Sequence, residues 1–150
     1  DMNLVVAGDA AHAEAFKAEL RDLAGDDQRI LFPGFVTGQL LEELFSNAYV
    51  FCLPSTLEGL PIALLEAMSY GSCCLASDIP ENLEAVEDFG FHFKNRDVDD
   101  LRKQLAFLID NPDKVKEKKE ISRQHVLTNY SWDTITDRME ELYLEVLRSS

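Results

Sequence analysis

Cations are scarce in this chain. Its 150 residues hold 14 Lys and Arg against 28 Asp and Glu, a net charge of -14, and that balance opposes unassisted binding to nucleic acid or to an anionic membrane surface. Any contact with phosphate has to be local. Cysteine is sparse too. Cys52, Cys73 and Cys74 form no C-x-x-C pair, and they lie in the apolar runs Val50-Phe51-Cys52-Leu53 and Cys73-Cys74-Leu75, which read as buried free thiols in a reducing compartment rather than a metal or redox site. No basic segment followed by an apolar one opens the chain, and no apolar stretch approaches the roughly 20 residues that span a bilayer. A cytoplasmic protein without a membrane span is expected. The phosphate loop G-x-x-x-x-G-K-[ST], the dinucleotide fingerprint G-x-G-x-x-G, the zinc motif H-E-x-x-H and the nucleophile elbow G-x-S-x-G are all missing, which weighs against the enzyme classes they mark. His12, His92 and His125 are scattered, so no metal site is expected from His and Cys, although carboxylates alone leave magnesium open.

What is present is enough apolar material, 46% of residues, for one domain with a real core. Leu4-Val5-Val6-Ala7 ending at Gly8 has the form of a strand buried on both faces, as in parallel sheets. It is entered with no lead-in, the mark expected of a fragment. Asp9 is placed to cap a following helix carrying Phe16, Leu20 and Leu23, stopped by Gly25. Ile30-Leu31-Phe32 predicts a second strand, and Thr37 the cap of a helix striped by Leu40, Leu41, Leu44 and Phe45. Tyr49 to Leu53 predicts a third strand, residues 61 to 70 a helix stopped by Gly71, and Cys73 to Ala76 a fourth strand. Pro80 opens a short helix through Glu87, and Phe89 to Phe93 is a fifth strand candidate. Val98, Leu101, Leu105 and Leu108 mark a helix ended before Pro112, and Lys114 to Lys119 belong to a charged one with a solvated face. Ser131 caps a last helix whose Trp132, Ile135, Met139, Leu142 and Val146 read as core packing. This alternation predicts a doubly wound parallel sheet in a three-layer α/β/α arrangement, with ligands bound beyond the carboxyl ends of the strands at loops 8–10, 33–38, 54–61 and 77–80.

The third of those loops holds the most chemistry. In PSTLEGLPIALLEAMSYG, residues 54–71, a helix starting near Pro61 presents unpaired backbone N–H groups and a partial positive charge. Gly59 permits close approach, so the backbone of Gly59 to Ala63 is suited to a phosphate. Glu58 is repulsive to phosphate but accepts hydrogen bonds from sugar hydroxyls, and Glu66 is placed to take a vicinal pair, each bond worth roughly 1.5–3 kcal/mol. A ligand with a sugar, a diphosphate and a ribose in line satisfies all three features. By itself the spacing is weak. A Glu near a helix start also serves the dipole, and an E-x7-E pair is expected about once by chance in this composition.

The ordered set is more specific. The strand Val50 to Leu53, the PSTLEGLPIALLEAMSYG stretch, Cys73 to Ser77, Asp78-Ile79-Pro80-Glu81-Asn82-Leu83-Glu84, the Gly8 loop, the Gly34-Phe35-Val36 turn and the Ser131-Trp132 helix together resemble the C-terminal half of retaining glycosyltransferase family 4, or group 1. The resemblance covers nearly the whole chain. It implies a GT-B architecture, two Rossmann-like domains facing across a cleft, with residues 1–150 as the donor-binding domain lacking its first strand and helix. It implies that Glu58 contacts the donor sugar, as the one catalytic candidate, and that Glu66 holds the ribose hydroxyls. Gly59, Leu60, Pro61, Ile62, Ala63 and Leu64 approach sugar and diphosphate largely through backbone groups, Phe35 and Val36 lie beside the nucleobase, and Gly8 belongs to the donor loop. The implied donor is a nucleotide sugar such as a UDP- or GDP-sugar, with no cofactor and no metal. The implied acceptor is a glycan, lipid or small molecule bound mainly by an N-terminal domain, which also supplies any peripheral membrane contact. Cell-envelope polysaccharide or glycoconjugate synthesis is the implied setting. The Arg and Lys that such enzymes turn on the leaving diphosphate come from upstream of the first strand here, and with the acceptor domain and the first strand and helix of this half absent as well, the fragment alone is expected to be inactive. Competing expectations are an epimerase or phosphorylase-like enzyme of the same architecture, and a non-catalytic Rossmann-like module whose acidic loop is structural.

Overall fold

The structure, a computed structural model, describes residues 2–9 and 11–149. The chain divides into two compact units, Asp1–Glu42 and Glu43–Ser150. The first contains β1 (Leu4–Ala7), α1 (Glu14–Ala24) and β2 (Ile30–Gly34), and α2 (Gly38–Asn47) begins in it. The second contains β3 (Phe51–Leu53), α3 (Ile62–Ser69), β4 (Cys74–Ser77), α4 (Pro80–Val86), a 3-10 turn at Glu87–Phe89, β5 (Phe91–Phe93), α5 (Val98–Asp110), α6 (Pro112–Asn129) and α7 (Trp132–Ser149). All strand pairs are parallel, in two sheets ordered β1-β2 and β3-β4-β5. From β1 to α5 strands alternate with helices, as the sequence pattern requires of a parallel α/β fold, and α6 and α7 follow directly.

In the first unit β1 pairs with β2 from Leu4 opposite Ile30 to Ala7 opposite Gly34. The strand is present, but the expected burial of both faces is not: Leu4, Val5 and Ala7 are exposed, because two strands leave most of the apolar run without a neighbour. The helical spacing of Phe16, Leu20 and Leu23 holds, yet α1 buries none of its residues. Asp9 does not cap it. The helix starts at Glu14 behind a turn in which His12 has φ 67°, and Asp9 accepts from Lys17 Nζ at 2.8 Å instead. Gly25 stops α1 with φ 55°, its N–H on the Arg21 carbonyl.

The second unit is organised around β4. It lies between β3 and β5, and all four of its residues are buried. Cys73 and Leu75 pack with Phe93 of β5, Leu108 of α5 and Val115 of α6, extended by Tyr49, Val50, Cys52, Phe91, Leu101 and Leu105. Removing a Leu or Val side chain from water in this way stabilises by about 1.5–3 kcal/mol each. Polar ties join the layers: Tyr49 Oη donates to the Leu108 carbonyl at 2.8 Å, and Ser72 Oγ to that of Phe45 at 2.5 Å. Burial pushes the Cys52 and Cys73 thiols up to about 11 and the Cys74 thiol higher still.

Two expectations about the C-terminal helices are corrected. Helix α6 runs well past Lys119 to Asn129, and its lysines are not all a solvated face: Lys119 Nζ donates to the Ala48 carbonyl at 2.6 Å and Lys118 Nζ to that of Asp88. Ser131 caps α7 by accepting from the Thr134 N–H at 3.1 Å, but the stripe does not enter a core. Trp132, Met139, Leu142 and Val146 are exposed, because only α6 packs substantially on this helix. No helix among the described residues is long and apolar enough to cross a membrane.

Gly90 lies where the turn after α4 passes β4. A Cβ added there would sit 2.5 Å from Val86 Cγ1 and 2.9 Å from the Cys74 carbonyl oxygen. Gly90→Ala is therefore expected to cost about 1–3 kcal/mol by overpacking, read as a lowered urea midpoint. The three thiols, Cys73 and Cys74 buried and Cys52 half-buried, are almost wholly protonated near pH 8 and are expected to resist iodoacetamide in the folded protein and to react in concentrated guanidinium chloride.

Candidate functional site

The candidate residues fall into two sets, each built within its own unit. In the first unit Gly8 follows β1 with φ 134° and donates its N–H to the Gly34 carbonyl at 2.8 Å. That bond places the Gly8 loop beside the Gly34-Phe35-Val36 turn. The Phe35 ring is 75% exposed, whereas Val36 points inward and is buried. A depression beside Gly8 and Gly34 is lined also by Asp9, Lys17, Arg21 and Phe32. Lys17, held by Asp9 and Glu14, has its pKa raised by those bonds, Asp9 contributing most. Lys17 and Arg21 were not singled out from sequence, where they are one helix turn apart on a face with no distinguishing pattern.

The second set follows β3. Residues 54–61 contain no helix or strand, and α3 starts at Ile62 behind Pro61. Glu58 is half-buried and accepts at Oε1 from Ser55 Oγ at 2.6 Å. Its Oε2 takes no hydrogen bond from any described residue. Glu66 is exposed, one turn into α3, and Ile62 and Ala63 are exposed on the same helix while Leu64, Leu65, Ala67 and Met68 are buried. Leu64 thus faces the core with its side chain.

The amides divide similarly. The Ile62 N–H is taken by the Leu60 carbonyl at 2.8 Å, and the Leu64 and Leu65 N–H groups by the Pro61 carbonyl at 3.0 and 3.1 Å. Pro61 has no N–H. Around Pro61 the amides of Gly59, Leu60 and Ala63 have no acceptor among the described residues, so these three, at the positive end of α3, are what the start of the helix offers an anion. The stretch therefore combines free amides for phosphate with two accessible carboxylates for hydroxyls.

Residues 1–125 match the family described as glycosyl transferases group 1. The chain belongs to this family. Among curated relatives, the Salmonella typhimurium lipopolysaccharide 1,6-galactosyltransferase is 36% identical over 80 residues, 52% of this chain and 22% of that protein. The Mycolicibacterium smegmatis alpha-maltose-1-phosphate synthase is 31% identical over 114 residues, 71% of this chain and 30% of that protein. Among solved structures, the Anabaena protein HepE in complex with UDP superposes with TM-score 0.86 at 20% identity, covering 96% of this chain and 41% of that one. At that identity the likeness establishes the fold, the α/β Rossmann-like arrangement of GT-B glycosyltransferases. The chain spans less than a third of the length of the first two relatives.

Burial separates the helix residues by role. Leu64→Ala is expected to destabilise by about 2–5 kcal/mol, and Ile62→Ala to stay within about 0.5 kcal/mol. Thermal and urea unfolding of the two variants checks the assignment of Leu64 to the core and Ile62 to the surface.

Proposed function

We propose that this chain is the nucleotide-sugar-binding domain of a retaining glycosyltransferase whose acceptor-binding domain lies outside residues 1–150. The observation that carries the reading is the 54–66 loop, where the free amides of Gly59, Leu60 and Ala63 sit between the carboxylates of Glu58 and Glu66. On this reading the amides and the dipole of α3 hold the donor diphosphate, Glu66 accepts from the ribose hydroxyls, and Glu58 Oε2 accepts from the sugar. Within the first unit, Phe35, exposed beside the Gly8 loop, offers an aromatic face suited to a nucleobase, and Val36, buried, supports that turn from below.

The chemistry follows from charge. Transfer breaks the bond from the anomeric carbon to the phosphate oxygen, and the departing diphosphate gains negative charge as the sugar becomes oxocarbenium-like. Fixed N–H donors aimed at the diphosphate stabilise that change without reorganising. The Glu58 carboxylate favours the positive sugar electrostatically, and with amides and helix dipole serving the leaving group the transfer proceeds without a metal ion. Leu64, with its side chain buried and its N–H held by the Pro61 carbonyl, anchors the start of α3 beside the diphosphate.

The names of relatives support a donor of this kind. One, from Escherichia coli, is a UDP-Gal:alpha-D-GlcNAc-diphosphoundecaprenol alpha-1,3-galactosyltransferase, 27% identical over 150 residues, and HepE has been solved with UDP-glucose. With the lipopolysaccharide galactosyltransferase, they favour a role in cell-envelope polysaccharide or glycoconjugate synthesis, on the cytoplasmic face of the membrane.

The test is donor binding and turnover by the full-length protein with UDP-glucose, UDP-galactose and GDP-mannose. One of them is expected to bind and to transfer its sugar with retention at the anomeric carbon, in the presence of EDTA. Glu66→Ala is expected to weaken that donor tenfold or more, about 1.5–3 kcal/mol for a lost charge-assisted bond. Unchanged affinity removes Glu66 from the ribose site, and no saturable binding of any nucleotide sugar leaves a non-catalytic module as the better description.

A further inference from the structure

The loop carrying Glu58 is fastened at one point. Among the described residues, the bond from Ser77 Oγ to the Ser55 carbonyl is the only hydrogen bond that ties residues 54–60 to an element outside the loop and the helix following it. Ser77 ends β4 and is wholly buried. Its hydroxyl is itself held: Asn82 Nδ2, from the first turn of α4, donates to Ser77 Oγ at 3.0 Å and to the Ser77 carbonyl at 3.2 Å. Ser55 Oγ then reaches Glu58 Oε1 at 2.6 Å.

The chemistry of the groups fixes the direction of this chain. An ionised carboxylate only accepts, so Ser55 supplies the proton to Glu58, and a carbonyl only accepts, so Ser77 supplies the proton to Ser55. Ser77 Oγ must then be the acceptor toward Asn82, which requires the amide nitrogen of Asn82, not its oxygen, to face the strand end. The Ser77 carbonyl beside it demands the same orientation. Asn82 is wholly buried, and its Oδ1 has no partner among the described residues. A leucine of similar shape would carry no such unsatisfied acceptor. The amide is thus retained at a cost, and what it provides is the orientation of one hydroxyl.

We infer that Ser77 and Asn82 are positioning residues, which set the Glu58 carboxylate through Ser55 by fixing where the loop leaves the sheet. The inference rests on the reading of Glu58 as the residue that faces the donor sugar. Loss of the Ser77 hydroxyl frees the Ser55 backbone, and Ser55 Oγ then no longer holds one oxygen of Glu58 so that the other faces the sugar. The free amides near Pro61 stay on α3, whose Leu64, Leu65 and Met68 anchor it in the core independently. Sugar recognition is therefore separable from diphosphate recognition.

The experiment measures, in the full-length protein, the affinities of UDP-glucose, UDP-galactose and GDP-mannose, each against its own nucleoside diphosphate. Glu58→Gln, which keeps the shape and removes the charge, sets the reference for sugar-specific loss. Ser77→Ala is expected to weaken the bound sugar nucleotide roughly tenfold relative to the nucleoside diphosphate, Ser77→Thr to restore most of it, and Ser77→Ala to add little in the Glu58→Gln background, as coupled groups do. Asn82→Leu, which fills the same space, is expected to repeat the Ser77→Ala pattern. Equal weakening of conjugate and diphosphate by Ser77→Ala, or full additivity with Glu58→Gln, overturns the positioning role. Absence of sugar-specific loss in Glu58→Gln itself overturns the reading of Glu58, and is told apart by that variant alone.

Discussion

Strand β4 is the element against which its whole unit is built. Each of its four residues is buried, so the strand tolerates only small or apolar side chains on both faces, and every neighbouring element is shaped by contact with it. Leu75 meets α5 and α6 through Leu108 and Val115. Gly90 passes so near the Cys74 carbonyl that no side chain fits. The three cysteines, Cys52 in β3, Cys73 just before β4 and Cys74 opening it, are compact apolar fillers in this layer, and the burial that raises their thiol pKa values also makes them inert.

The same strand governs the loop that carries Glu58. A loop of eight residues between β3 and α3 has many accessible conformations, and holding one of them costs entropy that local sequence does not recover. Here the Ser77 hydroxyl at the end of β4 fixes the Ser55 backbone, while the buried face of α3 fixes the other end. Between these anchors the loop displays free backbone N–H groups beside the Glu58 carboxylate. A net charge of -14 is compatible with the phosphate site proposed for this loop, because amides act over a few ångströms while surface carboxylates are screened by salt beyond about 8–10 Å.

Much of this was legible in the sequence. Short apolar runs marked the strands and apolar residues at helical spacing most of the helices, with errors at the ends, such as Tyr49 and Val50 preceding β3 rather than opening it and α6 running on to Asn129. Ser131 was identified as a cap from its position alone. The failures share a cause. Asp9 looks like a cap, but a turn at His12 intervenes and Lys17 competes for its carboxylate. The Leu4 to Ala7 run and the α7 stripe have the right periods for packing, yet period reports only which residues share a face, not whether another segment of the chain lies against it.

By itself the sequence determined the alternation of strand and helix, the parallel α/β class, and the ordered motifs that place the chain among group 1 glycosyl transferases. Those features depend on local geometry and on spacing along the chain. Only the tertiary structure decided that Leu64 turns inward beside an exposed Ile62, that the amides of Gly59, Leu60 and Ala63 remain free around Pro61, and that Asn82, Ser77, Ser55 and Glu58 form one line. Ser55 and Ser77 are 22 residues apart, and neither has a pattern that marks it. Their meeting follows from the parallel register that sets Leu53 beside Ala76, a consequence of long-range pairing that no local window contains.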